Sequence, residues 1–575
     1  MRRGFAVLTG LVAVLIVAAA GFAVFRPAYI GVVDIVRRGG DDGVAGAYLS
    51  AQYAAGRHDM AGASGHYDRA LAVRPHDPHL LRAAVRAHVI AGEVALAEAS
   101  GAMLLPFLPE AHDARLVLAV GAFAAGRFEE ARAHLDAMED HPITRVLRPY
   151  MALWSDFSDN GDVPTDRAMR PSDSVFAPID YLQTGLLNEL AGAPAKARKS
   201  YEQGLRMGGL RYLFFTRAYG GFLERQGAGA EARRIYQLYD ATHAPHPLIR
   251  LALKRVESGA PAPPPIADAR QGMAAGFYAL AEMLHAESRF ASAIFYANLA
   301  HHLDGAMDAA VFLTADALAE LESRREAARR FDDIKAASPL YAAAQIRRAV
   351  MLDRQGATET AIAVFNALLD DRPAHYEALV AFGDLFRRHD RFAEAEAVYD
   401  RAVAAIGVER PDVWPLYFAR GISRERQGNW RQAEGDLQKA RRLSDDAPHV
   451  LNYLGYGWID QGIHLNEGLR IIKLAVRKAP ENGYFIDSLG WAYYRLGDYA
   501  RALHHIERAA ERTPTDPVIT DHLGDVLWRL GREVEARYQW RKAQGFAPEA
   551  ALRESLETKL LTGLPPALPR GGTSI

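Results

Sequence analysis

Two pairs of adjacent histidines, His301-His302 and His504-His505, and the run His76-Asp77-Pro78-His79 carry the side chains best suited to metal chemistry. A bound metal needs ligands that converge on one point. Neighbours on a helix point about 100° apart, so neither pair can chelate. The His76 run falls in a turn and reads as a helix start. The chain has no cysteine. That excludes disulfides, thiolate catalysis, cysteine-ligated zinc and a lipoprotein anchor. No G-x-S-x-G, no H-E-x-x-H and no phosphate loop occurs. Among 70 carboxylates no pair stands out as general acid and base. No catalytic, cofactor or metal residue is therefore assigned, and no small-molecule substrate is expected. What remains is recognition, by the aromatic and acidic residues crowded between His449 and Trp528.

Those residues lie on a repeating frame. Residues 483–514 and 517–548 align without a gap at a spacing of 34. Leu489-Gly490 falls on Leu523-Gly524, Gly497 on Gly531, Ala502 on Ala536, Ile506 on Trp540 and Pro514 on Pro548. Leu489, Tyr493 and Leu496 share one face of a first helix. Gly490 lets a neighbouring helix approach. Gly497 suits a left-handed turn. Ala502, Ile506 and Ala509 stripe a second helix, and Pro514 ends it. The spacing and residue types resemble the tetratricopeptide repeat. The fold class implied is all-α: a right-handed superhelical solenoid of helix hairpins, with an N-terminal transmembrane or signal helix.

The N-terminal segment is the exception to the repeats. Met1-Arg2-Arg3 precedes 22 uncharged residues, Gly4 to Phe25. At about 1.5 Å per residue this run spans a bilayer. One reading is a signal anchor retained in the cytoplasmic membrane, with the bulk of the chain outside it. The other is an export signal cleaved near Ala18-Ala19-Ala20, leaving a periplasmic protein. A chain facing the cytoplasm is a third arrangement, because Arg26, Arg37 and Arg38 oppose Arg2 and Arg3.

Residues 26–43 form a tether. Three worn hairpins follow over 44–144, with Ala63, Ala97 and Ala131 again 34 apart. Residues 145–258 combine an irregular segment with two repeat units around Ala197 and Ala232. Gly259 to Pro265 (GAPAPPP) reads as an extended spacer or sharp joint. The main array of eight units runs from 266 to 548. Its second helices carry Ala293, Ala327, Ala361, Ala395, Ala433, Gly468, Ala502 and Ala536. Residues 549–562 form a capping helix over the last hairpin, and 563–575 read as a disordered tail.

The resemblance covers most of residues 44–548. It extends to large bacterial repeat proteins of the cell envelope with one N-terminal hydrophobic segment, through LNYLGYGWID, DSLGWAYYRLGDY and DHLGDVLWRLGR. It implies a groove lined by the first helices. The residues it places there are His449, Asn452, Tyr456 and Ile459; Tyr484, Asp487, Trp491 and Tyr494; and Val518, Asp521, Asp525 and Trp528. Aromatic rings and carboxylates on one wall suit an extended or helical protein segment that is apolar with basic residues. The alternative is that these rings pack between helices and the aspartates are solvated. The carboxylate-clamp pattern of the family is matched by Asn452 alone. With 68 basic against 70 acidic residues, nucleic acid is not an expected partner. The implied role is a non-catalytic scaffold. A chaperone-like adaptor serving a protease or secretion machine is the next reading, and an enzyme embedded in the repeats the least favoured.

Overall fold

The computed structural model describes residues 42–138, 143–160, 175–407 and 410–566. The expected membrane segment, residues 4–25, lies outside them, as do most of the tether and the end of the tail. No helix among the described residues is long and apolar enough to cross a membrane. The described residues form 29 α-helices and two short 3-10 turns, with no strand. The chain divides into two compact units at Asp370–Asp371.

The first unit holds α1 (Asp42–Gly56), α2 (Met60–Val73), α3 (Pro78–Ala91), α4 (Val94–Leu104), α5 (His112–Ala124) and α6 (Phe128–Asp136). It continues with α7 (Thr144–Asn160), α8 (Ala177–Leu190), α9 (Pro194–Arg206), α10 (Leu213–Arg225), α11 (Gly229–Thr242) and α12 (Pro247–Ser258). Next come α13 (Ala269–Ala286), α14 (Phe290–Leu303), α15 (Asp308–Glu320), α16 (Arg324–Asp332), α17 (Tyr341–Arg354) and α18 (Thr358–Asp371). The second unit holds α19 (Tyr376–Arg388), α20 (Phe392–Ala405), α21 (Trp414–Arg426), α22 (Trp430–Leu443), α23 (Pro448–Gln461) and α24 (Leu465–Lys478). It ends with α25 (Gly483–Arg495), α26 (Tyr499–Arg512), α27 (Pro517–Arg529), α28 (Glu533–Gly545) and α29 (Ala550–Thr562).

The hairpin logic is local and visible at each end of a helix. Asp77 and Asp516 accept backbone N–H groups at the starts of α3 and α27, each with proline at the first helical position. Gly497 takes φ +76 in the turn that the repeat requires. A β-carbon on Gly490 would lie 2.4 Å from Ile506, so the two helices of that hairpin meet only because glycine is there. The repeat alanines from Ala63 to Ala536 are fully buried. Gly468 stands in their place, where a β-carbon would be 3.1 Å from the Gly455 carbonyl of α23.

The first unit departs from a stack in which each hairpin touches only its neighbours. Helix α13 packs on α7, α8 and α10, and α14 packs on α3 and α5. The sequence explains why: α13 and α14 are apolar around nearly their whole circumference, so one covered face is not enough. Asn298 seals the return, donating from Nδ2 to the Val89 and Ile90 carbonyls at 2.8 and 3.0 Å. These carbonyls end α3, where no further helical turn follows; Val89 also receives the N–H of the cap residue Gly92 at 3.0 Å. The Glu282 carboxylate likewise accepts the N–H groups of Leu213 and Phe214, at 3.1 and 3.2 Å, where α10 begins.

Two stretches are more closely built in than their reading as irregular segment and spacer. Residues 144–160 are one helix, and its Trp154 is fully buried. The proline-rich stretch 259–265 lies inside the first unit, with Ala262 buried and Arg225 donating to the Pro263 carbonyl at 2.6 Å. The division between units falls instead in α18. Residues 266–370 belong with the first unit, because α13 and α14 complete its core.

Candidate functional site

The wall formed by α23, α25 and α27 carries the twelve groove positions. Their exposure follows position in the helix. His449, Tyr484 and Val518, near the helix starts, are exposed, Tyr484 at 57%. Asn452, Tyr456, Trp491, Tyr494 and Trp528 are half-buried. Ile459, Asp487, Asp521 and Asp525 are buried.

The rings are organised in two groups. His449 joins Trp414, Phe418 and Tyr453: its ring centroid lies 4.9 Å from Trp414 and 5.4 Å from Phe418, and Tyr453 is 5.6 Å from Phe418. In the second group Tyr494, Trp491 and His522 form a three-ring stack, with centroids 4.6 and 4.0 Å apart and near-parallel planes. Arg529 Nε donates to the Tyr494 hydroxyl at 3.2 Å. Trp491 Nε1 and Asn452 Oδ1 are enclosed without a hydrogen-bond partner in the chain.

The aspartates do not present free charge to a partner. Asp487 faces His522, whose Nδ1 lies 3.0 Å from both carboxylate oxygens. Asp521 and Asp525 share Lys559, which descends from α29; its Nζ lies 2.7 Å from both Asp521 oxygens and 2.9 Å from Asp525 Oδ2. Trp540 Nε1 donates to the other Asp525 oxygen at 3.0 Å. The expected negative wall is thus paired within the chain and does not stand open. A buried carboxylate must be paired or protonated, and here pairing is present.

Helix α29 does more than cap the open end. Leu556 is fully buried, and Leu552, Leu560 and Leu564 pack on the same core. Beyond α29, Gly563 lies against Trp528, where a β-carbon would come within 2.0 Å of the ring, and Arg529 donates to the Pro565 carbonyl at 2.6 Å. The start of the expected disordered tail is therefore packed; residues 567–575 lie outside the described residues. The C-terminal segment occupies the α27 portion of the wall with leucines and a lysine, the chemistry expected of a partner. Sequence reasoning missed Lys559 and His522. The signal for Lys559 was present: it interrupts an otherwise apolar stripe through Leu552 and Leu556. Nothing in the repeat pattern marks His522.

The titration of this junction has one sign. Burial alone would lower His522, but the adjoining Asp487 overcomes it, with Asp521 and Asp525 adding, so its pKa is raised. Burial, then Asp521, pushes Asp525 up to about 6. Burial opposes the charge on Lys559, but Asp525 and Asp521 hold its pKa above the ordinary lysine value. A raised histidine contributes stability that is complete below its unfolded pKa and is lost as pH rises through the folded one. A raised carboxyl group likewise favours the folded state at lower pH. The C-terminal hairpins are expected to unfold at lower temperature as pH rises from 6 to 8.5, measured by thermal unfolding at fixed ionic strength. His522→Gln should flatten that dependence. A profile that rises with pH, or one unchanged in the variant, would discard the assignment.

Among the described residues no group of three or more histidine or acidic side chains is placed to hold a metal. His301 and His302 both border a cavity of about 280 Å³ with Asn298 and Arg330, and His302 is taken up by Glu98 at 3.0 Å. His505 stacks on Tyr493, with centroids 5.4 Å apart.

Known proteins agree with the repeat. Residues 488–551 match the family described as tetratricopeptide repeat, and residues 309–451 match the TT21 fifth ARM repeats domain. A TPR repeat-containing protein of Pseudomonas aeruginosa is 24% identical over 207 residues, covering 36% of this chain. The matched part spans only 34% of that protein. A solved tetratricopeptide repeat protein from Parabacteroides merdae is similar at 15% identity and TM-score 0.38, over 44% of this chain and 98% of its own. The Cut9–Hcn1 assembly of the APC/C is similar at 14% identity and TM-score 0.37, over 93% of this chain and 99% of its own.

Proposed function

The chain is a tetratricopeptide-repeat protein, and from that premise we propose that it is a non-catalytic scaffold holding a segment of another protein on the α23–α25 wall. The observation that carries this reading is the exposed pair His449 and Tyr484 at the starts of neighbouring first helices, with His449 set in a cluster of rings. Aromatic side chains give large contact area at small entropic cost, and they dominate binding hot spots.

The partner segment is extended or helical and meets the wall mainly through apolar contact, because Asp487, Asp521 and Asp525 are already paired. Residues 4–25 tether the scaffold to the cytoplasmic membrane, with the repeats on its outer side. The uncharged length of that run supports the tether. Basic character in the partner would depend on displacing Lys559.

A photo-crosslinking residue at position 449 or 484 of the full chain is expected to give discrete adducts with another protein in membranes. The same probe at Glu507, on α26, serves as the contrast. Replacing both His449 and Tyr484 by alanine should reduce recovery of that protein at least tenfold, since each hot-spot ring contributes about 2 kcal/mol or more. Equal recovery by both forms, or adducts from position 507 alone, would remove the wall as the binding site.

A further inference from the structure

A second face of the same hairpins carries charge that nothing in the scaffold reading uses. Helix α24 presents Arg470, Lys473 and Arg477, and α26 presents Arg501, His504, His505, Arg508 and Arg512, at helical spacings of three and four. Between them lies Tyr493 of α25. Lys473 Nζ sits 5.3 Å and Arg501 Cζ 4.7 Å from its ring centroid, and His505 stacks on it. Lys473 from one row and Arg501 from the other therefore meet at one ring, with His505 neutral between them.

Carboxylates answer only part of these rows. Arg470 pairs with Glu467, Arg501 with Asp498 and Arg512 with Glu481. Arg508 donates to the Pro480 carbonyl. Among the described residues Lys473 has its ring contact and no ion pair, and Arg477 and His504 are exposed without one. Burial first, and then the positive charges of His504, Arg508, Lys473 and Arg501, push His505 down to about 4. Glu507 acts on Arg532 instead, whereas Glu511 shares the His504 side of α26.

We propose that this face docks the protein on the phosphate-bearing headgroups of an anionic bilayer. The acidic residues of the face interrupt any track for a nucleic acid, which needs a continuous row of phosphate contacts. Discrete anionic headgroups meet a compact basic patch of this size, each cation adding to the attraction. The inference rests in part on the membrane tether, which would hold the patch near the bilayer at high effective concentration.

The full chain is mixed with vesicles of phosphatidylcholine alone and of equal parts phosphatidylcholine and phosphatidylglycerol. Flotation and the rate of Lys473 acylation by mass spectrometry are read together. Lys473 is expected to react about fivefold more slowly on the anionic vesicles. Salt near 1 M, where the screening length is about 3 Å, should abolish the difference. Arg477→Glu with His504→Glu should restore the rate seen on neutral vesicles. Both positions are exposed and unpaired, and unchanged thermal unfolding would show that the variant is folded. Flotation with anionic vesicles only would remove the tether and leave the patch standing. Flotation with both but equal Lys473 rates would keep the tether and overturn the patch. Flotation with neither, or protection that survives high salt, would also overturn it, as would loss of a protein partner in the double variant without any change on lipid.

Discussion

Replacing Trp154 by alanine is expected to cost the first unit about 3–5 kcal/mol, the usual range for removing a large buried ring. Trp154 is fully enclosed. Its Nε1 donates to Gln183 at 2.6 Å, and Gly272 of α13 lies so close that a β-carbon would come within 2.3 Å of the ring. The tryptophan thus joins α7, α8 and α13, and its loss opens a cavity where the returning helices meet the earlier ones. Such a cavity is not easily refilled, because three separately anchored helices would have to move together. Denaturant unfolding should show the loss, and hydrogen exchange should show protection falling first in α13. Trp154→Phe keeps most of the packing and should cost distinctly less. Unchanged stability in Trp154→Ala would mean that α13 is not held there.

Lys559→Ala should have an effect of similar size at the other end. Asp521 and Asp525 are one helical turn apart, both buried, and both satisfied by this one ammonium group. Removing it leaves two like charges buried without a counter-ion, which typically costs about 3–5 kcal/mol. The expected result is detachment of α29 rather than loss of the whole unit. Hydrogen exchange would rise across residues 550–562, and Trp528 fluorescence would shift toward that of an exposed indole. The test of cause is compensation: Lys559→Met with Asp521→Asn and Asp525→Asn removes all three charges and should recover much of the loss. If the triple variant were as unstable as Lys559→Ala, the defect would lie in packing and not in stranded charge. Detachment would also uncover Trp528 and both carboxylates, which lengthens the available wall and admits a basic segment.

These two sites differ in how they could be read. The repeat alanines announce themselves at a spacing of 34, and each is fully buried where the spacing places it. The fold-back of the first unit has no such sign. Asn298 and the Val89 carbonyl are 209 residues apart, and nothing periodic connects them. The one clue is compositional, since α13 and α14 are apolar on every side and cannot line an open surface. The wall residues were identified by position, yet their states diverge: Tyr484 is exposed, Trp491 is stacked between Tyr494 and His522, and Asp525 is sealed by Lys559.

Helix identity, hairpin pairing and turn placement can all be read from the chain alone, because each depends on residues within about 34 positions of one another. The exposure of a given ring and the net charge of the wall cannot be, because they depend on which distant segment comes to lie against them. A carboxylate at a groove position is an open charge or a buried ion pair according to whether a lysine arrives from another helix. That arrival is a matter of packing in three dimensions, where burial and Coulomb attraction act through space without regard to sequence distance.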